Sequence, residues 1–99
     1  MIRHVVVFTW KPEATAAQRQ AAVEGIREWG EQSAASGYGS LSVGVDAGIN
    51  EGNADAVVVA DLADRDAYLA YRDDDRHRAM IAERIAPILA ARSAVQYEF

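Results

Sequence analysis

Residues Ile2 to Trp10 read as a strand that is apolar on both faces, and that limits what the chain can become. Successive side chains of a strand point to opposite sides, so His4, Val6, Phe8 and Trp10 share one face. Arg3, Val5, Val7 and Thr9 share the other. Both faces need covering. The chain has 99 residues, enough for one core and one domain over residues 1–99. A domain of this size buries only about two thirds of its unfolded surface. Yet 51% of its residues are apolar, more than one small core needs. The surplus predicts a subunit interface, and the simplest partner is a second copy.

The strand ends at Lys11-Pro12, because proline cannot donate to a ladder. A helix follows over residues 15–33, with Thr15 and Gln18 spaced as a capping box. Its Ala22, Ile26 and Trp29 form an inward stripe, while Glu24, Arg27, Glu28 and Glu31 face away. Leu41, Val43 and Val45 alternate as a second strand, and Ala56 to Ala60 is an apolar run that fits a central third. Glycines at 48 and 52 make a hairpin-like link between them. Asp64 can cap a short helix to Arg72, and Asp74 or Asp75 another over residues 76–91, bent at Pro87. In that second helix Ile81, Ile85 and Ile88 are expected to line the buried face. Residues 93–99 alternate again as the closing strand. The order β-α-β-β-α-α-β is the ferredoxin-like split βαβ of the α+β class: a four-stranded antiparallel sheet with helices on one face. Val5, Val7, Val57 and Val59 are left for the other face, which predicts a homodimer.

Composition removes several function classes. Fifteen acids against ten bases give a net charge of −5, and no segment carries a basic stripe, which argues against nucleic acid. With no cysteine there are no disulfides, zinc–thiolate sites or iron–sulfur clusters. The N-terminal strand resembles neither a signal peptide nor a membrane span, so a cytoplasmic location is expected. No glycine-rich phosphate loop occurs, and no nucleotide cofactor is expected.

Three stretches resemble one family. The opening His4-Val5-Val6-Val7-Phe8-Thr9-Trp10-Lys11-Pro12 is similar to the start of the stress-responsive A/B barrel (Dabb) family. Tyr71 followed by His77 resembles that family's Tyr and the last His of its His-Pro-x-His motif. Ala94-Val95-Gln96-Tyr97-Glu98-Phe99 is similar to its final strand. The resemblance implies a dimeric α+β barrel. It also implies one chemistry known in the family, the cofactor-independent aldol-type cyclisation of a linear polyketide by a His base. Carried over position by position, it puts catalytic roles on His77, Tyr71 and His4; a substrate pocket is expected on Val6, Phe8, Ile26, Ala56, Val58 and Ile81. The chain departs from the cyclase pattern at Asp74-Asp75 (His-Pro there), at Ala56 (a pocket His) and at Ile26 (a helix Tyr). A more apolar pocket for a hydrophobic, oxygenated small molecule follows.

Each of these residues also has a plainer reading. His77 shares its helix stripe with Ile81 and Ile85 and has the side chain best suited to proton transfer near neutral pH, but a core His held by hydrogen bonds fits the same position. A buried His4 needs a partner and can either orient a ligand carbonyl or tie the sheet to a helix. Tyr71 can orient His77 or simply pack. Asp73-Asp74-Asp75 lies at a helix start, where consecutive carboxylates diverge; capping explains it better than a metal site, and none is expected. Trp10, Trp29, Tyr38 and Tyr97 can frame an aromatic cavity or fill the core. Two other function classes stay open: a non-catalytic, stress-responsive or ligand-sequestering dimer, and a cofactorless monooxygenase of the dimeric barrel superfamily.

Overall fold

A computed structural model describes all residues, 1–99. Its elements run β1 (Ile2–Trp10), α1 (Ala16–Ala35), β2 (Gly39–Val45), β3 (Ala56–Leu62), α2 (Arg65–Asp73), α3 (Asp75–Met80) and β4 (Leu89–Glu98). The strands form one antiparallel sheet in the order β2-β3-β1-β4. This is the ferredoxin-like α+β arrangement, and β1 is its inner partner on both sides.

Sequence alternation sorts the sheet by face. Ile2, His4, Val6, Phe8 and Trp10 are all buried, as are Ala56, Val58, Ala60 and Leu62 of β3. Helix α1 covers them with Ala22, Val23, Ile26 and Trp29. The Thr15–Gln18 capping box is formed: Gln18 N donates to Thr15 Oγ1 at 3.1 Å, and Thr15 N to Gln18 Oε1 at 2.8 Å. Gly25 lets α1 approach the segment after α3, where a Cβ would lie 2.8 Å from Arg84 Cδ and 3.0 Å from Met80 Cγ. The opposite face carries Val5 against Val59 and Val95, and Val7 against Val57. No helix packs on this face: Val5, Val7, Val57 and Val59 are half-buried, and Val95 is 58% exposed. No helix is long and apolar enough to cross a membrane.

The last helix is shorter than its apolar pattern predicts, ending at Ile88 and not at residue 91, and β4 starts correspondingly early. Pro87 explains the difference, because it has no N–H to continue the ladder. The chain first widens into a π turn over Ile81–Ile85, in which Ala86 N reaches back five residues to the Ile81 carbonyl. It then tightens into a 3-10 turn over Ala86–Ile88. Lys11 N donates to the Ile88 carbonyl at 2.7 Å and ties this end to β1. The altered winding keeps Ile85 and Ile88 in the core but leaves Ile81 36% exposed, correcting the expectation that it is buried.

Ile85, buried to 3% exposure among Val6, Phe8 and Ile26, tests this packing. Ile85→Ala is expected to cost about 2–5 kcal/mol in urea melts. A loss below about half a kcal/mol would mean that the site collapses freely and the packing described is wrong.

Candidate active site

Helices and sheet enclose a cavity of about 290 Å³, at the small end of the range for ligand pockets, roughly 300–1,000 Å³. His4, Tyr71 and His77 all border it, as do Val6, Phe8, Ile26, Val58 and Ile81. Ile81 stands there partly exposed, at the open side. Ala56 does not reach the wall. It faces Phe8 across the β1–β3 ladder and is packed in the core with Phe8, Trp10 and Ile88. Of Trp10, Trp29, Tyr38 and Tyr97, only Trp29 lines the cavity; Trp10 stacks on Phe8 at 5.4 Å, and Tyr97 lies 46% exposed. Tyr68, Leu41, Met80, Ile85, Leu89, Arg72 and Arg92 complete the wall. Sequence reading missed these seven as lining residues. Tyr68 had a legible signal: it lies three residues before Tyr71 on α2, one turn away on the same face.

The break between α2 and α3 brings Tyr71 and His77 together, with ring centres 4.8 Å apart. Asp74 makes the break. Its carboxylate accepts from Arg76 N at 2.9 Å, from Arg76 Nε at 3.1 Å and Nη2 at 3.0 Å, and from Tyr38 Oη at 3.0 Å. The Arg76 guanidinium holds the Asp74 carboxyl well below the usual carboxylate range. Arg76 also lies over the Trp29 ring at 5.6 Å, and Trp29 stacks on His77 at 5.1 Å. Asp73 pairs with Arg72, so two of the three carboxylates of the acidic run are held in ion pairs, and Asp74 also caps α3.

Hydrogen bonding gives the two histidines opposite roles. His77 Nδ1 lies 3.0 Å from the Arg72 carbonyl, which can only accept. Nδ1 therefore carries the proton of the neutral ring, and Nε2 keeps its lone pair. His4 Nδ1 lies 3.0 Å from Gln96 Nε2, which can only donate, so His4 carries its proton on Nε2. One ring offers a base and the other a donor. Burial lowers both pKa values, that of His4 to about 4, and the Arg92 charge acts in the same direction on each. Burial pushes the Tyr71 phenol up to about 12, so it remains a hydroxyl. The Trp29 N–H offsets part of that rise, although the pair falls outside hydrogen-bond geometry and Trp29 Nε1 is left without a partner.

The Stress responsive A/B Barrel Domain family (Dabb) matches residues 2–99. The chain belongs to this family. A dimeric ferredoxin-like protein of unknown function from Thermobifida fusca YX shares 37% identity over 99% of this chain and 90% of its own, with a TM-score of 0.87. The Dabb chain also shares its fold with the hydroxynitrile lyase of Passiflora edulis, at 14% identity over 97% of this chain and 90% of that one, TM-score 0.76. An antibiotic biosynthesis monooxygenase matches at 15% identity over 100% and 98%, TM-score 0.77. No curated protein matches the chain.

The depressed histidine pKa values predict how stability depends on pH. For His4 the unfolded chain takes up a proton near pH 6.5, and the folded chain only near 4. Stability is thus fully present above about 6.5 and falls as the pH drops towards 4, with His77 acting in the same direction. Between pH 7 and pH 5 the loss in urea melts should be about 2 kcal/mol. His4→Gln should flatten most of that slope; an unchanged slope in the variant would show that His4 is not the group responsible.

Proposed function

We propose that this Dabb protein is a cofactor-independent enzyme that removes a proton from a hydrophobic, oxygenated small molecule, as in aldol-type cyclisation of a polyketide-like chain. The pairing of tautomers carries this reading: a neutral His77 with a free Nε2 lone pair and a neutral His4 with an Nε2–H border one apolar cavity. A methylene between two carbonyls is acidic enough for a neutral imidazole. Its proton passes to His77 Nε2, and the electron pair moves to a carbonyl oxygen that His4 stabilises by donation. The enolate carbon then attacks a second carbonyl of the same molecule, and the alkoxide recovers the proton from His77. Tyr71 holds the His77 ring in place and presents a neutral hydroxyl. The cavity wall folds the substrate so that the reacting carbons meet.

His77→Ala should reduce turnover of a 3,5-diketo thioester or acid by about 10²–10⁴-fold, with little change in melting temperature. Tyr71→Phe should do less, since it removes a hydroxyl and leaves the base. If the native protein binds such compounds but never converts them, the ligand-sequestering reading takes over.

We also propose that the protein works in the cytoplasm as a homodimer joined through the open valine face. The uncovered Val5, Val7, Val57, Val59 and Val95 support this, as does the dimeric state named for the Thermobifida relative. An interface of about 1,200 Å² or more is expected, and at about 25 cal/mol per Å² of apolar surface it contributes several kcal/mol. Val7→Asp should yield monomers or insoluble protein in sedimentation runs. A folded native monomer at micromolar concentration would overturn the assembly.

A further inference from the structure

Two polar groups on the cavity wall have no partner in the protein and no part in the proton transfer described. The first is Trp29 Nε1, on a side chain only 1% exposed. A buried donor left unpaired is costly, and a ligand oxygen can relieve that cost. The second is Arg92. Of the nine arginines only Arg72 and Arg92 border the cavity; Arg72 is taken by Asp73, whereas Arg92, like Arg27 and Arg78 away from the wall, forms no ion pair.

Arg92 reaches the cavity through a fault in the sheet. Strict alternation would put residues 89 and 92 on opposite faces of β4. The ladder pairs Trp10 with Leu89 but Thr9 with Ala91, so Ala90 is an extra residue, a β-bulge. Beyond it the alternation is reset, and Leu89 and Arg92 both border the cavity. No carboxylate lines that wall, so in a chain of net charge −5 this pocket is a local positive site.

We propose that the cavity accepts a keto acid with an apolar body: Arg92 binds its carboxylate at the rim, and Trp29 Nε1 donates to its carbonyl oxygen inside. This names the substrate class of the site proposed above; it depends on that site's location and not on His77 being the base.

Isothermal titration with 5-oxodecanoate and its methyl ester tests the assignment. The acid should bind the native protein at least about tenfold more tightly than the ester, in keeping with a hydrogen bond to a charged group. Arg92→Gln, an exposed substitution, should abolish that preference and leave ester binding unchanged. Trp29→Phe should weaken acid and ester by the same factor, about five- to tenfold, and leave decanoate, which has no ketone, unaffected. Equal native affinities for acid and ester, parallel losses of both in Arg92→Gln, or no binding of either at millimolar concentration would each overturn the proposal. His77→Ala separates the two readings. If it keeps the acid preference while retaining full turnover of a diketo substrate, the base assignment fails and this one stands.

Discussion

Tyr71 and His77 are six residues apart, and one continuous helix could not aim both at a single cavity. At 3.6 residues per turn, six positions leave two side chains about 120° apart around the axis. The rings nevertheless meet at 4.8 Å, because the helix stops at Asp73 and restarts at Asp75. Asp74 sustains that interruption. It adopts an extended backbone, caps α3 and accepts from Tyr38, which sits just before β2. Arg76, held by the same carboxylate, covers Trp29, and Trp29 backs His77. The pair Asp74–Arg76 thus bears on the position of His77, reaching it through the Trp29 ring. The Arg76 end of the pair is about half exposed and screened by solvent, so its worth lies in geometry more than in charge attraction.

The sheet supplies the other half of the site. His4 is held from both sides, by β3 at Ala60 and by β4 at Gln96. Its tautomer is set by Gln96, 92 residues away in sequence, so the register of the β1–β4 ladder decides which nitrogen carries a proton. A one-residue slip of β4 would turn Gln96 to the opposite face and leave His4 Nδ1 without this partner. Residues 90–98 of β4 are exposed along their whole length, and this strand is the sheet's edge. Its hold on β1 therefore matters to the chemistry beyond the hydrogen bonds it contributes.

The parts of the fold that follow local rules were legible in the sequence. Two-faced alternation in β1, the capping box at Thr15 and the aspartate caps of α2 and α3 are statements about neighbouring residues, and they hold in the structure. His4, Tyr71 and His77 could be named only through family resemblance. No periodicity links them, because their meeting depends on the break at Asp74 and on the ladder register. Two misreadings share one cause. Ile81 falls on the buried stripe, and the last helix runs to residue 91, only under an unchanging 3.6-residue winding. Pro87 alters that winding first to π and then to 3-10. Arg92 is hidden for a related reason: clear alternation begins only at Ser93, and nothing in Leu89-Ala90-Ala91-Arg92 announces a bulge. Ala56 was carried over from a family position held by a longer side chain, and a methyl beside Phe8 stays in the core.

The electrostatics of the cavity join these features. Burial keeps His4 and His77 neutral, as a base and a donor each require, and the Arg92 charge acts in the same direction. A cation so placed would ordinarily weaken a base beside it. A carboxylate bound to Arg92 would offset that charge and raise the proton affinity of His77 only while the cavity is filled. An acid substrate would in this way strengthen the base that acts on it, whereas a neutral molecule of the same shape would meet the weaker one. With such a substrate the bulge that turns Arg92 inward would bear on reactivity as well as on recognition, although Arg92 would touch none of the reacting atoms.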